Sequence, residues 1–117
     1  MEPKRPGELA SGLVPSTAVE LAELVAYQPG AVVSRTLLQR PGGTLTVFAF
    51  DQGQALSEHT APFDALVQVL DGETELVIGG QPVRVVKGQI ALMPANVPHG
   101  VRAVQRFKML LSMIRGG

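Results

Sequence analysis

Turn-forming residue pairs recur along this 117-residue chain and divide most of it into short, apolar segments. Asp71-Gly72 and Gly79-Gly80 are typical of tight β-hairpins, because the primed turns that connect antiparallel strands need positive φ angles. Short strands at such close spacing predict an all-β sandwich or barrel. The candidate strands lie over residues 31–39, 44–51, 65–70, 74–78, 82–86, 90–93, 100–104 and 107–114.

The start of the chain lacks this pattern. Residues 1–16 contain three prolines and two glycines without regular apolar spacing, which indicates a loosely ordered arm. Thr17 and Glu20 have the spacing of a capping box, so we predict a short helix over about residues 18–25. The predicted domains are an N-terminal arm (1–16) and one barrel domain (17–117), with the core motifs at about 44–114.

The charge balance argues against several classes of partner. Ten Lys and Arg residues offset ten Asp and Glu residues, so the chain has no basic stripe for nucleic acid or anionic lipid. No apolar run approaches the ~20 residues that cross a bilayer. The charged first residues lead into no apolar signal-peptide segment. Cysteine is absent, which excludes disulfides and thiolate zinc sites and fits a reducing cytoplasm. We expect a cytoplasmic protein without nucleic-acid or membrane partners.

The chain contains two histidines, His59 and His99, and each stands in a glycine-rich block beside strand-like sequence. Neutral imidazole is the commonest protein ligand for metals, and it is also the side chain that titrates near neutral pH. A barrel can bring two such groups from distant strands into one cavity. The two histidines are therefore the first candidates for a functional site.

The block around His59 resembles the first motif of the cupin superfamily, G-x5-H-x-H-x3,4-E-x6-G. Gly53, His59 and Gly72 match this motif in register. Ala61 stands at the position of its second histidine, and Ala65 stands at the position of its glutamate.

The block around His99 resembles the second cupin motif, G-x5-P-x-G-x2-H-x3-N. Gly88, Pro94 and His99 match it. Asn96 replaces the second glycine, which is a tolerable exchange because Asn enters the left-handed region more easily than most residues. Ala103 replaces the final asparagine.

The resemblance implies an all-β double-stranded β-helix, or jelly-roll barrel, to which the short N-terminal helix is attached. It also implies a divalent Fe, Mn, Ni, Cu or Zn ion held by three histidines and one glutamate, of which this chain keeps His59 and His99. Two imidazoles alone form a weak site, because metal sites usually supply three or more protein ligands. Two interpretations stay open: a residual metal site completed by water or substrate, or two histidines that hydrogen-bond each other, the backbone or a ligand. Glu58 and Asp64 have the wrong strand parity to replace the lost ligands, unless a β-bulge re-aims Glu58.

The two alanines also open volume in the mouth of the barrel. Apolar cavities with a few polar groups are the usual form of a small-molecule site. Met109 and Met113 suit the core, where methionine fills irregular gaps, although either can also face a ligand. The predicted pocket residues are Ala61, Ala65, Val67, Val101 and Met93.

These observations predict a small stand-alone cupin with a depleted metal site, which binds a small molecule with or without a divalent metal. One alternative is a metal-free isomerase or epimerase in which a histidine acts as general base. Another is a non-catalytic ligand-binding or sensing domain. The sequence leaves open whether the protein is an enzyme.

Two of the candidate strands are apolar on both faces, and they predict assembly. Residues 45–50 and 107–114 together offer more apolar side chains than one barrel interior holds. Large apolar surfaces normally mark an interface, and the resemblance implies pairing of sheets. We therefore predict a homodimer, with Phe48 and Leu110 as candidate outward residues.

Overall fold

The computed structural model describes residues 12–116. Within this range nine β-strands form two antiparallel sheets. The strands are β1 (Val32–Arg40), β2 (Gly43–Phe50), β3 (Ala55–His59), β4 (Phe63–Asp71), β5 (Glu73–Ile78), β6 (Gln81–Val86), β7 (Ile90–Met93), β8 (His99–Arg102) and β9 (Phe107–Arg115). The five-stranded sheet has the order β1-β2-β9-β4-β7, and the four-stranded sheet has the order β3-β8-β5-β6.

The chain crosses repeatedly from one sheet to the other, which is the arrangement of a jelly roll. The prediction of an all-β jelly-roll barrel is therefore confirmed. Each predicted segment contains a strand, but β3 was not predicted. Its sequence, Ala-Leu-Ser-Glu-His, lacks the alternation of a half-buried strand, and as an edge strand β3 pairs with β8 alone.

The predicted N-terminal helix over residues 18–25 is much shorter in the structure than predicted. A single 3₁₀ turn, Leu21–Glu23, replaces it, and no side chain caps this turn. The Thr17 hydroxyl donates instead to the Pro15 carbonyl oxygen, at 3.2 Å. So short a helix is marginal alone, and in this segment the apolar side chains pack against a sheet instead.

The predicted N-terminal arm lies mostly outside the described residues. Of the residues that are described, Leu13 donates its backbone N–H to the carbonyl oxygen of Leu37 in β1, at 3.2 Å. The chain therefore runs beside the edge of the five-stranded sheet before it reaches the 3₁₀ turn.

The interior between the two sheets is the main hydrophobic core. Phe50 and Phe107 are fully buried there and stack with their ring centroids 4.7 Å apart. Phe48, predicted to face outward, packs against this inner core, so that prediction is wrong. Phe48 shares strand parity with Phe50 and therefore the same face of β2.

A second apolar cluster covers part of the outer face of the five-stranded sheet. Val25 packs there against Val47 and Ala49, which are both fully buried. Tyr27 fixes the segment, because its hydroxyl donates to Asp71 Oδ2 at 2.5 Å. Lys108 Nζ adds a hydrogen bond to the carbonyl oxygen of Ala22, at 2.6 Å.

The rest of this outer face stays open. An apolar groove of about 370 Å³ lies at the other end of β1, β2 and β9, with Leu38, Leu45, Leu66 and Ile114 in its wall. Ile114 is half exposed. In the part of the chain that is described, no helix has the length and apolar character needed to cross a membrane.

Candidate functional site

His59 and His99 lie directly opposite each other in neighbouring strands, β3 and β8. Their ring centroids are 4.5 Å apart, and the ring planes meet at 67°. His99 is buried, at 4% exposure, whereas His59 is exposed. The pair therefore runs from the protein surface into the barrel.

An irregularity in β3 gives His59 its orientation. Leu56 pairs with Val101 and His59 pairs with His99, so Ser57 and Glu58 together oppose a single residue of β8. This two-against-one count is a β-bulge. Because the bulge adds one residue, both Leu56 and His59 face the interior although they are three positions apart.

The same bulge leaves Glu58 on the outer side of the sheet. A Cβ atom built on Gly100 would lie 3.3 Å from Glu58 Cγ, so the glutamate covers Gly100. Side chains alternate along a strand, and position 100 faces away from His99 and Val101. The carboxylate of Glu58 does not replace the missing glutamate ligand.

Both imidazoles are held in the same way by the backbone. His59 Nδ1 lies 2.9 Å from the carbonyl oxygen of Ser57, and His99 Nδ1 lies 3.1 Å from that of Val97. A carbonyl oxygen only accepts hydrogen bonds, so each Nδ1 carries the proton and each neutral ring keeps its lone pair on Nε2. Metal-ligating histidines are commonly fixed by such a bond to the second ring nitrogen.

A partly enclosed cavity of about 60 Å³ adjoins the histidine pair. Four of the predicted pocket residues, Ala61, Ala65, Met93 and Val101, line it. Val67 does not belong to its wall, because this side chain is fully buried in the inner core. The remaining wall residues are Leu56, Met109, Leu111 and Met113. Leu56 was missed because β3 was missed.

The turn before His99 is fixed by contacts with the segment that leads into β4. Asp64 Oδ1 accepts the backbone N–H of Ala95 at 2.9 Å, and the carbonyl oxygen of Ala61 accepts that of Asn96 at 2.8 Å. Asn96 has φ = 65°, which confirms the expectation that Asn adopts the left-handed conformation at this glycine position. Asp64 therefore positions the turn and is not directed at the histidines.

The perturbed titratable groups lie away from the cavity and belong to structural contacts. Burial, followed by the hydrogen bond to Asp71, raises the pKa of Tyr27. The backbone N–H of Gly30 lowers the pKa of Asp51. A hydrogen bond from Arg84 lowers the pKa of Glu73, and the two side chains form an ion pair on the surface.

The donor set is incomplete for a divalent metal. Across residues 12–116, no group of three or more His, Cys, Asp or Glu side chains is placed to hold an ion. The two positions that would supply the third and fourth ligands are alanines in the cavity wall, Ala61 and Ala65. A two-imidazole set falls short of the three protein ligands that such ions usually require.

The fold and the histidine pair define a small jelly-roll barrel protein with an interior histidine site. A family model described as a cupin domain matches residues 46–113, more than half of the chain. The chain therefore belongs to the cupin family. No curated protein matches it.

Solved structures show the same fold. A conserved protein of unknown function from Streptococcus pyogenes is 36% identical with a TM-score of 0.85, and the match covers 90% of this chain and 92% of that one. A cupin 2 conserved barrel domain protein from Leptotrichia buccalis is 46% identical with a TM-score of 0.79, over 80% of this chain and 46% of that one. This chain thus spans about half of that relative. A cupin superfamily protein from Desulfitobacterium hafniense is 27% identical with a TM-score of 0.83, over 89% and 95% of the two chains.

Proposed function

We propose that this cupin binds a small oxygenated or carboxylated molecule, with the imidazoles of His59 and His99 as the recognition groups. One observation carries the proposal: two Nε2 atoms stay free beside an apolar cavity, because both Nδ1 atoms are bonded to backbone carbonyls. Neutral Nε2 accepts a hydrogen bond from a hydroxyl or a carboxylic acid, and protonated Nε2 donates to a carboxylate. An apolar wall with a few convergent polar groups is the usual form of such a site.

The size of the cavity limits the ligand. About 60 Å³ is far below the ~300–1,000 Å³ of sites for drug-sized molecules. A ligand of about five non-hydrogen atoms gains at most ~1.5 kcal/mol per atom, which corresponds to micromolar affinity at best. A longer molecule would place one end in the cavity and extend past the exposed His59 into solvent.

Proton transfer is a second candidate activity. The bond between Nδ1 and the carbonyl fixes the tautomer of each ring, and the remaining Nε2 lone pair is then available as a general base. A metal-free isomerase or epimerase would use one imidazole in this way. Exchange of a substrate C–H proton with deuterium from D₂O would support this activity if His99→Gln abolishes it. If no bound ligand undergoes this exchange, the proton-transfer activity is refuted and only the binding function remains.

Metal-dependent chemistry has weaker support. The two imidazoles do not complete a divalent site, and we derive no reaction step through a metal ion. The expected cytoplasmic location stays a prediction.

We also propose that the protein is a homodimer. The outer apolar groove at Leu38, Leu45, Leu66 and Ile114 supports pairing through the five-stranded sheet. Exposure of such apolar surface to water is unfavourable, and a second copy would remove it from water. The 3₁₀ segment covers the other end of the same face, so the groove is the part left for a second copy.

Nuclear magnetic resonance of the imidazole nitrogens tests the binding function. Acetate, glyoxylate, lactate and pyruvate are titrated into the protein while the Nε2 shifts of His59 and His99 are followed. We expect both Nε2 signals to move together with at least one probe, with a dissociation constant of about 1 mM or lower. His99→Gln should abolish the response of His59.

Glu58→Gln is the matched control, since this residue neighbours His59 in sequence but lies on the outer side of the sheet. It should leave the titration unchanged. The proposal fails if no probe moves either imidazole, or if Glu58→Gln has the same effect as His99→Gln.

A further inference from the structure

The wall of the cavity beside the histidine pair contains methionine thioethers as well as imidazoles. Met93, Met109 and Met113 line the same space as His59 and His99. We propose that His59, His99, Met93 and Met113 form a binding site for a soft monovalent cation, Cu(I), in place of a divalent ion. The inference rests on the proposed role of the two imidazoles as the binding groups of this cavity.

The strand register brings two of the methionines to the position of the missing carboxylate ligand. Ala65 in β4 pairs with Met93 in β7 on one side and with Met113 in β9 on the other. Directly opposed residues have Cβ atoms about 5 Å apart. The methyl group of Ala65 thus leaves room between two long, unbranched thioether side chains on neighbouring strands. A glutamate at position 65 would extend from the cavity wall between these two methionines.

The donor types favour copper in its reduced state. Thioether sulfur is a soft ligand that selects Cu(I), whereas Mg²⁺, Ca²⁺ and Mn²⁺ prefer oxygen. Neutral imidazole suits copper as well, and both rings keep a free lone pair. Two nitrogen and two sulfur donors would supply a full coordination sphere without any carboxylate.

Charge and size favour the same ion. The cavity wall is largely apolar, and no group of three or more His, Cys, Asp or Glu side chains is available in residues 12–116 to neutralise a divalent ion. The cost of moving an ion out of water rises with the square of its charge, so a monovalent ion loses about a quarter as much hydration free energy as a divalent one of equal radius. A space of about 60 Å³ is sufficient for a single ion.

Methionine also fills gaps in ordinary cores, and the third methionine allows this explanation to be separated from metal binding. Met109 lies deeper than Met113 on the same face of β9, pairs with Phe48 and Val69, and is 1% exposed. It borders the cavity, but its partner Val69 is four residues away from Ala65 along β4. Met109→Leu is therefore the matched control for Met93→Leu and Met113→Leu, since all three changes conserve volume.

The test is an anaerobic titration of the purified protein with Cu(I) in the presence of ascorbate and a competing chromogenic Cu(I) chelator. We expect one Cu(I) ion per chain. Met93→Leu and Met113→Leu should each weaken binding by about tenfold or more, and Met109→Leu should change it by less than about twofold. His99→Gln should weaken it as strongly as the first two changes.

A second readout uses ¹³C-methyl-labelled methionine and Ag⁺, a redox-inert probe of the same softness. The methyl signals of Met93 and Met113 should shift on binding, and that of Met109 should shift least. Absence of competition with the chelator would overturn the proposal, as would equal affinities of the wild type, Met93→Leu and Met113→Leu. A site that depends on Met109 but not on Met113 would overturn the assignment of the ligands.

The result is distinguishable from the proposed ligand-binding function. Methionine-to-leucine changes conserve volume and keep both imidazoles, so they should weaken Cu(I) binding far more than the response of the imidazole nitrogens to small carboxylates. Carboxylate binding without Cu(I) binding would refute the copper site and leave the binding function intact. Cu(I) binding without any carboxylate response would refute the binding function and keep the copper site.

Discussion

Restoring the two lost ligands should convert this barrel into a divalent-metal protein. The double change Ala61→His and Ala65→Glu returns an imidazole and a carboxylate to the wall of the cavity that already contains His59 and His99. Each new side chain would start from a position in the cavity wall, Ala61 in the connection before β4 and Ala65 in β4 itself, so four donors would surround one space. We expect Mn²⁺, Ni²⁺ and Zn²⁺ to bind the variant far more tightly than the wild type.

The structure sets the size of the effect. Ala65 is 3% exposed, so without metal the new carboxyl group is buried and unpaired, at a cost of about 3 kcal/mol. At roughly 4 °C per kcal/mol for a domain of this size, the metal-free variant should melt about 12 °C below the wild type. Metal at about 100 times its dissociation constant should return ~2.7 kcal/mol, or about 11 °C. The wild type, with two imidazoles, should gain less than about 1 kcal/mol.

The assay is thermal unfolding with and without each metal, followed by isothermal titration calorimetry. The control is Ala61→Gln with Ala65→Gln, which adds similar bulk and polarity but neither imidazole nor carboxylate. It should lose stability and recover little of it with metal. If the double variant folds and metal stabilises it no more than the wild type, the assignment of Ala61 and Ala65 to the ligand positions is wrong.

Three further changes test other parts of the structure. Gly72 has φ = 69°, and a Cβ atom there would lie 2.3 Å from the carbonyl oxygen of Arg106. Gly72→Ala should therefore lower the free energy of unfolding, measured with denaturant, by about 3 kcal/mol. Gly80 has φ = 81° but open space around it, so Gly80→Ala, the control, should lower it by about 1 kcal/mol. Ile114→Glu should shift the proposed homodimer to monomer in sedimentation equilibrium, and a wild type that is already monomeric would refute the dimer. Because the pKa of Asp51 is lowered in the folded state, its contribution to stability is present above the ordinary value of about 3.9 and is lost as the pH falls through the lowered value. Asp51→Asn should therefore flatten the acid limb of a stability-against-pH curve, and an unchanged acid limb would contradict this.

The strands that the sequence predicted are those whose ends are marked by local chemistry. Asp71-Gly72 and Gly79-Gly80 stand at the ends of β4 and β5, and Gly72, Gly79 and Gly80 all adopt positive φ. Turn geometry of this kind depends on neighbouring residues alone, and it is therefore readable without tertiary information. The approach of His59 and His99 beside one cavity was predicted instead from the resemblance of their two blocks to the cupin motifs.

The features that were mispredicted depend on tertiary contacts. The predicted helix over residues 18–25 has favourable caps, but Val25 and Tyr27 find their partners on the five-stranded sheet, and no local pattern indicates this. β3 was missed because its pairing with β8 is what makes it a strand. Phe48 is an exception, because the strand face that it shares with Phe50 is readable from the sequence alone. The sequence does not predict that Met93 and Met113 lie on either side of Ala65, because local sequence patterns do not determine the order of strands in a sheet.

The bulge in β3 means that this strand should tolerate substitutions far better than changes of length. Deleting either Ser57 or Glu58 would restore a regular strand, in which Leu56 and His59 become two positions apart. That alone would keep both on one face, but the chain between Gly53 and β4 would be one residue shorter. The Ser57 carbonyl oxygen that holds His59 Nδ1 lies inside this bulge, so either deletion would disturb the hydrogen bond that orients the imidazole. Natural variants of this barrel that preserve the histidine pair should thus differ freely in the identity of residues 57 and 58, while insertions and deletions gather elsewhere, in loops that carry no side chain into the cavity.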